Sequence, residues 1–311
     1  MPIKVDNLEP SVNKNEARWH EQLEKIEHNS HNDIDVVFLG SSSMYNAIDE
    51  KLVEKITGWK SLNLALFGDF GVYGDYQLLK RWLRTSASIP KAVVIWHSFD
   101  VWSRPLKQRE IILTSDDFKE MFIFHWKSVN AVPFSRSSLH FPVEWAATAL
   151  KALLQNNIFL FRNNNAYRKK ITGYFGFHGV YSESINRPKN VTNDLFANYW
   201  QQQRRLLIDY TFNPSYANTY WFKKLLELVG ENKIELLVSR APLNERVLND
   251  TDMLKSINRY NLELTKYLLL FGEHRVQMLN EQQIIFREEM GGDINHVNRV
   301  GRQHVTNQIS H

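Results

Sequence analysis

The run Val36-Val37-Phe38-Leu39 ends without transition in Gly40-Ser41-Ser42-Ser43, and no other stretch constrains this chain as much. Four consecutive apolar residues, three of them β-branched or aromatic, suit a strand buried on both faces. Gly40 permits a sharp turn, and the polar-capped pattern that follows opens a helix. A strand, a glycine turn and a helix start bring a serine to the carboxyl end of a strand beside free helical N–H groups. Open α/β sheets place their ligands there.

The same alternation runs through the flanks of the chain. Strands are predicted at 34–40, at 61–67 before Gly68, at 92–96, at 234–239 and at about 274–279. Helices are predicted at 12–29, 48–58, 73–85, 216–230 and about 251–271, with a last one beginning near 297. Strands and helices at this spacing imply a parallel sheet covered on both faces. The expected fold is α/β: a three-layer α/β/α sandwich on a parallel sheet of about five strands, in flavodoxin-like order. Residues 1–33 read as a helical lead-in and 34–311 as one domain. Residues 103–215 break the rhythm, being rich in aromatics and asparagine, and read as a helical insertion over the carboxyl edge, with helices at 116–129, 143–155 and 192–210.

Composition narrows the function classes. The 311 residues carry 38 basic and 34 acidic side chains, a net +4 that gives no argument for nucleic acid. Cysteine is absent, which removes disulfides, thiolate nucleophiles and cysteine metal sites. His97 and His125 lack metal-ligand spacing, so no metal is expected. Gly68, Gly71 and Gly74 follow a strand, but their spacing is not the Gly-x-Gly-x-x-Gly of a dinucleotide site, and no cofactor is expected. The first thirty residues are polar, and no stretch approaches the roughly 20 apolar residues of a membrane span, which points to a soluble protein.

Two motifs carry chemistry. Ser42, two residues past Gly40, can project from the turn as a nucleophile; serines here would equally serve as helix caps. Near the other end, Gly291-Gly292-Asp293-Ile294-Asn295-His296 contains Asp-x-x-His, a spacing that lets the acid orient the imidazole as base; the bland alternative is a surface pair. The serine turn follows the first strand and the Asp-x-x-His follows the last, so the topology can bring the two together. His304 is a rival base, expected to lie inside the last helix.

At these residues the chain resembles the SGNH (GDSL-like) hydrolase superfamily. Gly40-Ser41-Ser42 matches the Gly-x-Ser nucleophile block, with Ser41 in place of the usual aspartate, and Asp293 and His296 match the final block. The resemblance implies that Gly68, after the second strand, serves the oxyanion hole together with the N–H of Ser42. The third block, normally Gly-x-Asn-Asp, reads His97-Ser98-Phe99-Asp100. One oxyanion donor is therefore missing or replaced by Ser98 or His97, a loss of about 3–4 kcal/mol of transition-state stabilisation if uncompensated. With Ser239-Arg240-Ala241-Pro242 and the long insertion, the pattern is similar to that of proteins modifying bacterial cell-surface polymers, those of alginate O-acetylation and D-alanine transfer among them.

The resemblance implies a serine-dependent acyl-ester enzyme, an O-acetyltransferase or acetylesterase, at the cell envelope, whereas the visible amino terminus suggests cytoplasm. Trp102, Trp126, Trp145, Phe175, Phe177 and Trp200, set among amide side chains, suit sugar rings. The expectation is a carbohydrate or acylated glycan substrate, an acyl donor supplied by a membrane partner protein, and transfer favoured over hydrolysis. The alternative is a non-catalytic glycan-binding or scaffold protein on a decayed hydrolase fold, for which the missing asparagine is the best support.

Overall fold

Successive residues of a strand point to opposite faces of its sheet, so a strand apolar at every position must be covered twice. The computed structural model, which describes residues 14–106, 110–111, 114, 193–272, 276–279, 282–291 and 293–310, shows this double cover. In chain order the elements are helix α1 (Lys14–Asn29), strand β1 (Val36–Gly40), helices α2 (Ser42–Ala47) and α3 (Glu50–Thr57), and strand β2 (Ser61–Asn63). Helix α4 (Gly71–Thr85), strand β3 (Ala92–Trp96), helices α5 (Asn193–Ile208) and α6 (Tyr216–Glu231) and strand β4 (Glu235–Val238) follow. The chain continues through strand β5 (Leu243–Asn244), helix α7 (Thr251–Gly272), strands β6 (Val276–Met278) and β7 (Ile285–Phe286), and helix α8 (Arg299–Ile309).

Five strands form one parallel sheet in the order β2-β1-β3-β4-β6, so the fold is the α/β/α sandwich expected from the alternating pattern. Val37, Leu39, Val93 and Ile95 enter one core with Trp19, Ile26, Leu78, Trp82, Trp221 and Ile257, from α1, α4, α6 and α7. Val36, Phe38, Val94 and Trp96 enter the other with Met44, Val53, Val305 and Ile309, from α2, α3 and α8. Fully burying each aliphatic side chain is worth about 1.5–3 kcal/mol, so both faces contribute to one cooperative unit. The lead-in helix α1 belongs to that unit: Trp19 and Ile26 are buried, and Gln22 Nε2 donates to the Ala65 carbonyl. No described helix is long and apolar enough to cross a membrane.

The differences from the sequence reading are local. The predicted strand 61–67 shortens to three residues, yet Leu64 N and Leu66 N still donate to Phe38 O and Gly40 O, so the chain accompanies β1 to its end. The predicted helix 48–58 begins later, because Asp49 caps it by accepting from Leu52 N. It ends where expected, at Gly58 with φ +75°. The two-residue parallel pair β5–β7 was not predicted, being too short to show a period. The predicted helix at 192–210 corresponds to α5; those at 116–129 and 143–155 lie outside the described residues.

Gly71 and Gly74 explain the glycines that resembled a nucleotide loop. A Cβ on Gly71 would lie 2.4 Å from Asn218 Oδ1, and one on Gly74 2.6 Å from Leu66 Cδ1. Both are places where α4 approaches its neighbours closely. Asn218, buried on α6, accepts from Val72 N and donates to the Val101 and Trp102 carbonyls, fixing the turn after β3 against α4.

Candidate active site

The serine turn is made by the sheet. At Gly40 φ is +139°, and a Cβ there would meet the Trp96 carbonyl oxygen at 1.9 Å, so only glycine lets β1 leave the sheet this close to β3. Ser41 N donates to that same carbonyl (3.2 Å). Ser41 stands at the N-cap position of α2, but its hydroxyl makes no capping bond to the helix. Instead Ser41 Oγ accepts from Ser98 N at 3.0 Å and lies 3.0 Å from Ser43 Oγ. A buried hydroxyl cluster thus ties the turn after β1 to the turn after β3. Ser42 is left at the first position of α2 with its side chain directed away from that cluster.

The acid and base are held by their own loop. Ser42 Oγ lies 2.8 Å from His296 Nε2, and His296 Nδ1 lies 2.8 Å and 3.0 Å from the two Asp293 oxygens. Asp293 is 1% exposed, and its Oδ1 also accepts from Asn295 N (2.9 Å) and His296 N (2.8 Å). These bonds make a side-chain-closed bend, with no helical turn at 293–296. Burial, the largest influence on the Asp293 carboxyl, pushes its pKa up; the His296 charge and the N–H donors together hold it below the ordinary 3.8. An ionised carboxylate can only accept, so Nδ1 carries a proton; whenever the ring is in its neutral form, Nε2 is the acceptor facing the Ser42 hydroxyl. That is the arrangement in which serine can lose its proton to histidine.

A cleft of about 220 Å³ opens over this row, at the carboxyl ends of β1 and β3 where the strand order reverses. Ser42, Gly68, Ser98, Arg104 and His296 line it, and α5 closes one side with Gln202, Gln203 and Leu206. Among the described residues, the N–H groups of Ser42 and Gly68 have no acceptor. Ser98 lies in the cleft wall, but its N–H is directed at Ser41 Oγ and its hydroxyl lies 3.3 Å from the same oxygen. His97 turns the other way: Nε2 is 2.7 Å from Asp75, both side chains are buried, and the ring packs edge-on against Trp102. His304 directs Nε2 to the Ile285 carbonyl at 3.0 Å and does not line the cleft.

Two aromatics proposed for sugar stacking belong to packing instead. Trp102 is 1% exposed among His97, Phe222 and Tyr267. Trp200 is buried, with the Arg246 guanidinium over its ring at 4.8 Å. Trp126, Trp145, Phe175 and Phe177 lie outside the described residues. Two contributors escaped sequence reading. Gln203 Oε1 accepts from Ile294 N (3.1 Å), tying α5 to the acid–base loop, and Arg104 stands beside Gly68. A glutamine among three consecutive glutamines and an arginine past a degraded motif carry no signal of their own; only the fold brings them to the site.

No protein-family model matches this chain, and no curated protein matches it either.

Proposed function

We propose that this protein is a serine-dependent acyl-ester enzyme of SGNH type. The observation that carries the reading is the continuous row Ser42 Oγ–His296 Nε2, His296 Nδ1–Asp293, with 2.8 Å at both links, in a cleft at the sheet's switch point. In the proposed reaction Ser42 Oγ bonds to the ester carbonyl carbon as its proton passes to His296 Nε2. The carbonyl oxygen takes up the electron pair and is held by the N–H groups of Ser42 and Gly68. Collapse expels the alkoxide, which takes the proton from His296 and leaves an acyl-serine. Water, or an acceptor hydroxyl, then gives its proton to His296 and attacks the acyl carbon; the bond to Ser42 Oγ breaks, and Oγ takes that proton back from His296 as the acid or new ester is released.

Lining groups of both kinds suit a small acyl ester on a polar carrier: Phe99, Val101 and Leu206 offer apolar surface, while Gln202, Asp100 and Arg104 offer hydrogen bonds. A glycan hydroxyl as acceptor, and transfer to it, remain part of the proposal. They now rest on these polar groups and on the family resemblance, since Trp102 and Trp200 are taken up by packing. The envelope location and a membrane partner supplying the acyl group rest on the resemblance alone.

The test is covalent labelling with a fluorophosphonate together with turnover of a neutral acetyl ester. Labelling at Ser42 that disappears in Ser42→Ala and His296→Ala, with unchanged thermal melting, supports the enzyme. A well-folded protein that neither labels nor turns over the ester leaves a non-catalytic scaffold. With an oligosaccharide added, acetylated sugar in the mass spectrum supports transfer; free acetate formed at a rate indifferent to sugar leaves an esterase.

A further inference from the structure

The asparagine absent from the third sequence block leaves the proposed oxyanion pocket with two backbone donors, and Arg104 occupies the adjoining space. A Cβ built on Gly68 would stand 2.9 Å from Arg104 Nη1 and 3.4 Å from its Cζ, so the guanidinium lies directly against the residue whose N–H is the second donor. Arg104 lines the same cleft as Ser42 and His296.

Its orientation is fixed from two directions. The backbone at 101–104 is held by buried Asn218, whose Nδ2 reaches the carbonyls of Val101 (2.9 Å), Trp102 (2.8 Å) and Arg104 (3.3 Å). The side chain is held by Asp100, whose Oδ2 accepts from Nε (2.9 Å) and Nη2 (2.6 Å). That contact uses one edge of the guanidinium. The remaining nitrogen, Nη1, has Asp69 Oδ1 at 3.6 Å, beyond hydrogen-bond length, and among the described residues it donates no hydrogen bond. A planar guanidinium gripped on one edge presents its other N–H groups in a set direction, which a lysine ammonium would not do. The side chain is 41% exposed and lines the cleft, and the Asp69 ion pair beside Nη1 leaves its N–H groups without a hydrogen-bond acceptor among the described residues.

We infer that Arg104 completes the oxyanion hole: Nη1–H donates to the carbonyl oxygen as it becomes negative, taking the place of the missing asparagine. The Asp100 pairing tempers the charge of the guanidinium while holding its geometry. The N–H dipoles, pre-oriented before reaction, then supply stabilisation that grows as charge develops on the oxygen. This inference rests on the acyl-ester reading above.

The experiment measures kcat and KM for a neutral acetyl ester, which has no anionic group for an arginine to bind in the ground state. Arg104→Ala is expected to lower kcat on the order of 10²–10³-fold with KM nearly unchanged. Guanidinium ion added at non-denaturing concentration is expected to restore part of the loss in Arg104→Ala and none in Ser42→Ala. Should near-UV circular dichroism show Arg104→Ala misfolded, Arg104→Met, which keeps an unbranched stem and removes every N–H donor, carries the same comparison. Wild-type kcat in a folded Arg104 variant overturns the inference. So does a loss confined to KM with anionic esters, which would assign Arg104 to substrate binding. Ester turnover undiminished in Ser42→Ala would instead sink the acyl-ester reading itself, a separate outcome.

Discussion

The two halves of the candidate triad are built by different means. The nucleophile turn is an outgrowth of the sheet: β1 and β3 pair over five residues, and Gly40 and Ser41 are pressed onto the carbonyl of Trp96. The acid–base loop has almost no sheet beneath it. It hangs between the two-residue pair β5–β7 and the start of α8, closed by the isolated bridge Gly291–Val297 and by side-chain bonds to its own backbone. Its long-range anchors are single bonds at Ile294, to Gln203 of α5 and Asn244 of β5, and the helix α8, which is fastened to the end of α2: Thr306 Oγ1 donates to Ala47 O (2.9 Å) and Arg302 Nε to Ile48 O (2.8 Å). Long-range strand pairing places Ser42; short-range hydrogen bonds shape the bend that carries His296, and helix docking delivers it. Substitutions in the first half should therefore act on the fold, and those in the second mainly on alignment.

Gly40→Ala gives the largest expected effect. The new Cβ would sit 1.9 Å from backbone oxygen, not from a side chain that can swing away, at a φ that L-residues avoid. Destabilisation above about 4 kcal/mol, or failure to fold, is expected from denaturant unfolding. A stable Gly40→Ala protein that has lost only ester turnover would break the comparison, since it would mean the turn can relax independently of the sheet.

That contrast also decides what was legible in the sequence. The sheet and both helical layers follow from period, because Val36–Leu39 and Ala92–Trp96 are apolar throughout and leave only a doubly covered strand as a home. Ser42, Asp293 and His296 stood out as candidates because a serine follows the first strand and its glycine turn, and Asp-x-x-His is a short pattern of its own. Ser41 was legible as a departure from a motif but not as a partner of Ser98, for that contact spans 57 residues and follows from the parallel register of β1 and β3. Arg104 and Gln203 had no pattern to announce them. The aromatic reading failed at Trp102 and Trp200 for a general reason: an aromatic that packs a core and one that stacks a sugar look alike until burial is known.

Asn298→Ala probes the second half. Asn298 Oδ1 caps α8 by accepting from Val300 N and Gly301 N, both at 2.9 Å, while Nδ2 donates to Glu289 O at 2.6 Å. One buried side chain thus closes the loop and starts the helix that holds it. Loss of the cap should cost about 1–2 kcal/mol in denaturant unfolding. Ester turnover should fall by more than that loss of folded protein explains, because the His296 loop loses a tether even in molecules that remain folded. Turnover that tracks the folded fraction alone would show the loop to be held by α8 docking and the Asp293 bonds without Asn298.

The smallest expected effect is the acid dependence of stability, and it too separates the halves. Asp293 is held below its ordinary 3.8 in the folded chain. A depressed carboxyl contributes stability that is fully present above the unfolded value, and it is lost as pH falls below 3.8 through the folded one. Asp35 and Asp250 are also held low, Asp35 chiefly by the Lys91 hydrogen bond and Asp250 chiefly by Arg204, so the wild-type slope alone cannot be assigned to the triad. The comparison that isolates it is Asp293→Asn against wild type. The gap in unfolding free energy should narrow as pH falls from about 5 through 3.8 and below, because only the wild type loses a carboxylate from the loop. The nucleophile half contains no titrating group among Gly40, Ser41, Ser42 and Ser43, so Ser42→Ala should run parallel to wild type across the same range. A gap for Asp293→Asn that stays constant into strong acid would mean that the His296 bend is not held by the carboxylate charge. The backbone N–H bonds to Oδ1 would then be what position 293 contributes, since an amide oxygen can accept them equally well.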